Sequence, residues 1–301
     1  MLFALVCGTL AVTAAQQVDT TLNVGRGQRL DVVAYGGQVT VRAWNRNAVR
    51  LQASTPGRER VELSSSATAV SVRTQGRHGP AEEIELQITA PPWMTVALSG
   101  VNTGVRVEGV RAPITVETVE GDVNVTGGEG LVSLRSVQGS VTLRGAKGRI
   151  NVNSVNEDVE VSGSAGDVAA QTVNGEIALQ MVDASSVDAS TVNGDISYSG
   201  PIRAGGRYAL STHNGAVTVT VPEGTSASVA VSTFAGEFES EFPVPIRGTR
   251  KGKGFTFTLG GGSAQVTLES FQGTIQLVRP GSEHDPARRE RREHDRDHDE
   301  D

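Results

Sequence analysis

A twelve-residue pattern that recurs along the chain constrains its fold more than any other feature. The pattern is apolar, x, apolar, x, Ser or Thr, apolar, x, Gly, x, apolar, x, apolar. Nine copies, separated by 18, 18, 18, 18, 19, 21, 21 and 37 residues, begin at Val96, Ile114, Val132, Ile150, Val168, Val187, Tyr208, Val229 and Val266. Such a repeat predicts a stack of copies, because one copy alone cannot bury its apolar face.

The apolar residues change phase within each copy. In the copy that starts at Ile114, the inward set ends at Thr118 and resumes at Val119. A shift by one residue moves side chains to the other face of a strand, so the shift marks a corner. Each copy is therefore predicted to be two short strands joined at a corner, with Val119 and its equivalents facing the core. Gly-rich residues such as 127–130 supply the second turn.

These features predict an all-β chain that forms a β-solenoid of about nine coils. Coils that add one rung each about 4.7–4.9 Å would make a rod roughly 40 Å long. The alternative is an antiparallel meander, because Asn-Gly is a strong hairpin signal and occurs at 174–175, 193–194 and 214–215. Four successive spacings of 18 favour the solenoid, since a meander does not require equal lengths. No window has the 3.6-residue period of a helix.

The chain divides into segments of different composition. Residues 1–15 are typical of the apolar part of a secretory signal, although a buried N-terminal segment is the alternative. Residues 16–95 are β-rich but lack the 18-residue period, and we expect them to cap the solenoid. The repeats occupy 96–278, with an irregular insertion at 241–264. The charged tail, 279–301, is predicted to be disordered.

Composition narrows the choice of function. The single cysteine, Cys7, lies in the signal-like segment, so the mature chain would contain no disulfide, catalytic thiolate or Cys-ligated metal. The net charge of −7 gives no electrostatic support for nucleic-acid binding. No segment after the signal is apolar enough to span a membrane. An exported location, whether periplasmic, secreted or on the cell surface, follows from the signal.

Two stretches carry a family resemblance. One is Gly-Gln-Val-Thr-Val-Arg-Ala-Trp at 37–44, and the other is the series of Ser/Thr-Val-Asn-Gly-Asp-like turns at 118–122, 136–140, 172–176 and 191–195. Over most of residues 18–278 the chain resembles the bacterial "putative adhesin" family of unknown function. Ala43 stands where that family usually has Gly, and Glu157 replaces the glycine of one turn. The resemblance implies an exported, repeat-rich, all-β protein, and it brings no catalytic residues.

Three columns of polar or small residues recur at fixed places in the repeat. A glycine column is predicted to hold turns that need a positive φ; it comprises Gly121, Gly139, Gly175, Gly194, Gly215, Gly236 and Gly273. An amide ladder, with a ligand site as its alternative, comprises Asn156, Asn174, Asn193 and Asn214. An acid row comprises Asp122, Asp158, Glu176 and Asp195.

The acid row is the strongest candidate for chemistry. Carboxylates in a row could bind Ca²⁺ or cleave a polysaccharide, and the ordinary alternative is that they are solvated turn acids. The column of Ser and Thr residues contains no recognisable catalytic group, because a nucleophile needs a nearby base and His213 is the one histidine in the coils. We therefore assign no catalytic residue, no cofactor and no metal ligand.

These observations favour a non-enzymatic, exported scaffold or binding protein of the cell envelope. Its partner would be an envelope or surface ligand whose identity the sequence leaves open, and nucleic acid is not expected. The alternative is a polysaccharide-active enzyme on a β-helix, which would use the carboxylates of the acid row.

Overall fold

The computed structural model describes residues 16–55, 60–75, 84–244 and 254–282. The regular structure in these ranges is entirely β. Within them, no helix is present that has the length and apolar character needed to cross a membrane. The signal-like segment, part of the insertion and nearly all of the charged tail lie outside the described residues.

The strands are short and follow one another closely. The first seven are β1 (Gln16–Asn23), β2 (Arg29–Ala43), β3 (Ala48–Thr55), β4 (Arg60–Ser65), β5 (Ala69–Gln75), β6 (Glu85–Ala90) and β7 (Val96–Val110). The next ten are β8 (Ile114–Glu117), β9 (Val123–Gly127), β10 (Glu129–Arg135), β11 (Val141–Arg144), β12 (Lys147–Asn153), β13 (Val159–Ser162), β14 (Ala165–Gln171), β15 (Ile177–Gln180), β16 (Asp183–Asn193) and β17 (Ile196–Ser199). The last seven are β18 (Arg207–Asn214), β19 (Val217–Thr220), β20 (Ala227–Thr233), β21 (Phe238–Ser240), β22 (Phe255–Leu259), β23 (Ala264–Gln272) and β24 (Ile275–Val278).

Equivalent residues of successive coils pair in parallel. Val132 of β10 pairs with Ile114 of β8 on one side and with Ile150 of β12 on the other. The second strands of the same coils, β9, β11 and β13, stack in the same way. The protein is therefore a β-solenoid, as the constant spacing predicts, and the meander is wrong because neighbouring coils run parallel.

The core is a thin layer of buried apolar side chains that lies between the two strands of each coil. Val132 and Leu134 are fully buried, whereas Ser133 between them is partly exposed, as strand alternation requires. The inward side chains of all the coils join one continuous cluster. Burial of each Val or Leu contributes roughly 1.5–3 kcal/mol, so a narrow core of many small residues can hold a long stack.

The corner differs from the prediction. Thr118 is buried at 4% exposure, but Val119 is 47% exposed, so the expectation that Val119 faces the core is wrong. The phase shift itself is present, because Thr118 and Val123 are five residues apart and both point inward. The residues between them form the corner, and the corner turns the Val119 side chain outward.

At the C-terminal end the order of the rungs differs from the order of the chain. Strand β23 lies between β18 and β20, and β24 lies between β19 and β21. The chain therefore passes over one rung, builds the outer coil, and returns to fill the gap. Strand β22, within the excursion that lengthens the last spacing to 37, pairs antiparallel with β20.

The N-terminal end is built in the same manner. Strand β2 pairs in parallel with β7 on one side and with β5 and β6 on the other. The segment before the repeats thus contributes two further parallel rungs, one formed by β5 and β6 and one formed by β2. With the nine copies of the repeat, the described residues contain eleven parallel rungs. Beyond them β3 and β4 pair antiparallel with β6 and β5, and β1 pairs antiparallel with β3.

The position of β23 between β18 and β20 can be tested with cysteine pairs in a chain that carries Cys7→Ser. Thr267 pairs with Ala209 on one side and with Ala230 on the other. We expect Ala209→Cys with Thr267→Cys to form a disulfide on mild oxidation, because neighbouring strands lie only about 4.8 Å apart. Ala209→Cys with Ala230→Cys should stay reduced, since two rungs separate these residues by about 9.6 Å. Free-thiol titration measures both, and the opposite pattern would show stacking in chain order.

Candidate functional site

The corners of the coils hold most of the polar residues that the sequence singles out. At most corners a buried hydroxyl donates a hydrogen bond to the main-chain carbonyl of the coil before it, whereas Thr233 Oγ1 of the outermost coil accepts from the Gly236 N–H at 3.0 Å. Ser136 Oγ, for example, lies 3.1 Å from the carbonyl oxygen of Gly121. The same contact, at 2.9–3.1 Å, is made by Ser154, Thr172, Thr191, Thr212 and Ser270. These hydroxyl groups therefore satisfy carbonyls that would otherwise be buried without a donor.

The glycine column is explained by the space between coils. A Cβ atom built on Gly194 would lie 1.9 Å from the carbonyl oxygen of Gly175, where no side chain fits. At Gly175 and Gly236 the expectation of a positive φ is wrong, since the φ of each lies outside that region. A Cβ on Gly175 would nonetheless lie 2.4 Å from the carbonyl oxygen of Glu157. Glycine is therefore required at position 175 because a side chain has no room there, and not because of the backbone conformation.

The amide ladder is a chain of side-chain hydrogen bonds along the rod. Asn174 Nδ2 donates to Asn156 Oδ1 at 3.2 Å, and Asn193 Nδ2 donates to Asn174 Oδ1 at 2.8 Å. Asn214 Nδ2 continues the chain by donating to Asn193 Oδ1 at 2.8 Å. Each inner amide thus uses one donor and one acceptor within the stack, which leaves only its second N–H and lone pair for a ligand.

The acid row links neighbouring coils through the main chain. Asp122 Oδ1 accepts hydrogen bonds from the Ser140 N–H at 2.9 Å and the Ser140 hydroxyl at 3.0 Å. Asp158 Oδ1 accepts from the N–H of Glu176, and Asp195 Oδ1 accepts from that of Ala216, both at 2.7 Å. In the described part of the chain, no group of three or more His, Cys, Asp or Glu side chains could hold a metal ion.

Two tyrosines replace small core residues where the repeat lengthens to 21. Tyr198 and Tyr208 are buried and pack edge to face, with ring centroids 5.6 Å apart. Tyr208 Oη donates to the carbonyl of Ala184 at 2.7 Å and accepts from the N–H of Arg203 at 2.8 Å. Burial raises the pKa of both phenols above its ordinary value, so they remain neutral hydrogen-bonding groups that anchor the longer loop.

An open groove of about 450 Å³ lies at the corner near the C-terminal end. It is lined in part by His213, Phe234, Glu269 and Phe271. The His213 ring stacks on Phe271 with centroids 4.6 Å apart, and Phe234 stacks on the other face of Phe271 at 4.8 Å. These three rings occupy equivalent positions of their copies, and the exchanged rung order places Phe271 between the other two.

Substitution of a column glycine isolates the effect of stacking. We expect Gly175→Ala to lower the free energy of unfolding by about 1–3 kcal/mol, because its methyl group meets the carbonyl of the coil before it. Gly25→Ala is the matched control, since Gly25 also has an ordinary φ and a Cβ added there would have no atom within 4 Å. Denaturant unfolding measures both variants. Equal losses of stability would contradict the steric explanation.

Comparison with known proteins identifies a family and several structures to which this chain is similar. A family described as Toastrack DUF4097 matches residues 29–278. A "putative adhesin" from Bacteroides fragilis NCTC 9343 is 12% identical over 88% of this chain and 99% of its own, with a TM-score of 0.43. A "putative adhesin" from Parabacteroides merdae ATCC 43184 is 10% identical over 87% and 96%, with a TM-score of 0.41. Comparison with curated proteins found no match. The family resemblance is confirmed, and because the match covers more than half of its residues, the chain belongs to the Toastrack DUF4097 family.

Proposed function

We propose that this protein is a non-enzymatic binding scaffold exported to the cell envelope. One observation carries the proposal: the hydroxyl, amide and carboxylate groups that could suggest catalysis bond to neighbouring coils. Asp158, for instance, accepts from the main chain of the next coil at 2.7 Å, and the Thr172 hydroxyl donates to the coil before it at 3.0 Å. The polar columns thus stabilise the rod.

A rod of this kind suits a binding role. Eleven parallel rungs span about 50 Å, and equivalent outward side chains lie in straight rows along that length. Such rows offer an extended surface on which many weak contacts can add up, as in other solenoids. The "putative adhesin" descriptions of its relatives support a surface ligand as the partner, and the signal-like segment supports export.

The alternative enzyme has a weaker basis. A glycosidase needs one carboxyl group that carries a proton and a second that is ionised, at a fixed separation. The carboxyl oxygens of Asp122, Asp158 and Asp195 instead accept hydrogen bonds from main-chain N–H groups of the next coil. These three carboxylates therefore serve contacts within the stack.

Export is tested by locating the protein in cells. We expect the full chain in the periplasmic fraction, in the medium or on the surface, where added protease reaches it. Deletion of residues 2–15 should retain the protein in the cytoplasm, because the apolar segment is the export signal. A cytoplasmic marker protein controls for lysis. Export that survives the deletion would contradict the assigned signal.

The absence of glycan cleavage is tested with purified protein. We expect no new reducing ends from acidic or neutral polysaccharides, and no difference between the natural chain and Asp158→Asn. Asp188→Asn, an exposed carboxylate outside the acid row, is the matched control. Turnover that is lost in Asp158→Asn, kept in Asp188→Asn and accompanied by unchanged unfolding midpoints would establish the enzyme instead.

A further inference from the structure

One edge of the rod carries a row of outward-facing side chains, here called the apolar column. In rung order it comprises Tyr35, Val101, Val119, Val137, Val155, Val173, Val192, His213, Phe271 and Phe234. All but His213 are apolar, and all but the partly buried Val137 and Val155 are exposed. The pairing of flanking residues establishes this order, for example Asn102 with Glu120 and Glu120 with Gln138. Hydrogen bonds from Asn156 and Asn174 to the carbonyls of Val137 and Val155 continue it. The column occupies ten successive rungs and is about 43 Å long.

Most side chains of the apolar column are well exposed to solvent. Val101, Val119, Val173 and Val192 are 40–47% exposed, Tyr35 is 52% exposed, and Phe234 is 65% exposed. Phe271 is 40% exposed. A long run of exposed apolar side chains along one edge marks a contact surface, because single exposed apolar residues are ordinary and long contiguous rows are not.

The flanks of the apolar column lack charge over its middle. On one side lie Asn156, Asn174, Asn193 and Asn214, and on the other lie Asn153, Gln171, Ser190 and Ser211. Among the described residues directly beside the apolar column, the charged ones are Glu117, Glu120, Arg135 and Glu269, and one position farther out the exposed Glu157 follows Asn156. Depletion of charge around an apolar centre is typical of the core of a protein–protein interface.

The distance between successive side chains of the apolar column favours a second solenoid as the partner. The apolar column presents one side chain every 4.7–4.9 Å or so, whereas an extended peptide advances only about 3.3–3.4 Å per residue and would lose register within a few rungs. A second solenoid of this chain has the same spacing. Valine side chains from two such stacks can interdigitate along the full length as a dry interface. We propose that the apolar column is the contact surface between two copies of this chain.

Charge determines how the two copies are oriented. In a parallel pair, the two-fold axis along the rods would place Glu117 of one copy opposite Glu120 of the other, twice. In an antiparallel pair centred between Val155 and Val173, Glu117 meets Ser211 and Glu120 meets Asn214. Like charges directly opposite are unfavourable, so the antiparallel pair is the favoured one. It is a closed, two-fold dimer in which Tyr35 packs on Phe234.

The oligomeric state tests the proposal. We expect sedimentation and light scattering to give twice the monomer mass for the purified protein. Val173→Glu should reduce the mass to that of one chain, because it places a charge at the centre of the interface. Leu131→Glu is the matched control, since Leu131 is 45% exposed but lies away from the apolar column. Circular dichroism checks that both variants fold. A monomeric natural chain, or a dimer that survives Val173→Glu, would overturn the proposal.

Cysteine cross-linking then tests the orientation, again with Cys7→Ser. Five rungs, or about 24 Å, separate Val119 from His213 within one chain, so a disulfide between them must join two chains. We expect Val119→Cys with His213→Cys to yield a covalent dimer and Val119→Cys alone to yield none. Cross-linking by Val119→Cys alone would overturn the antiparallel arrangement. Neither result bears on export or on glycan cleavage, so the proposed function is tested separately.

Discussion

The hydrogen bond between a corner hydroxyl and the glycine carbonyl of the coil before it is the interaction on which the solenoid depends. Stacking brings the two coils so close that a Cβ on the next column glycine would lie 1.8–2.4 Å from a backbone oxygen. The same closeness buries that oxygen, which then requires a donor. Ser or Thr supplies the donor, and Gly three residues later supplies the space. The pair Ser136 and Gly139 thus meets two needs of the same close contact, and the corner of Ser154, which has Glu157 in place of the glycine, keeps the hydroxyl donor.

Much of this fold could be predicted because stacking makes the sequence periodic. The parallel pairing of coils and the inward Val and Leu positions follow from the spacing of 18 and from strand alternation. The rung order at the two ends could not be predicted, since each copy has the same inward pattern and pairs equally well with any other. The exposure of Val119 was also missed, because alternation within a strand does not hold through a corner.

The regularity that builds the core also arranges the surface. Since equivalent residues lie in register, a polar side chain at one corner meets its own equivalent in the next coil, and the two bond. The Asn174 amide and the Asp158 carboxylate are explained in this way without any ligand. A column of identical polar residues in a solenoid is therefore weak support for chemistry. An exposed apolar column is stronger support for a contact surface, because contact of apolar side chains with water is unfavourable and these side chains do not stabilise the core of the coils.

The ends of the stack show why association should be lateral. A parallel stack with bare ends would present open strand edges that could pair with other chains. Here each end turns back on itself, so that β2 and β23 are inner rungs and antiparallel strands lie outside them. At one end the outer strands are β1 and β4, and β4 carries the exposed charges of Arg60 and Glu62, which resist further pairing. At the other end β22 is only five residues long. With growth along the axis opposed in this way, the long side of the rod is the surface best placed for contact with a second copy.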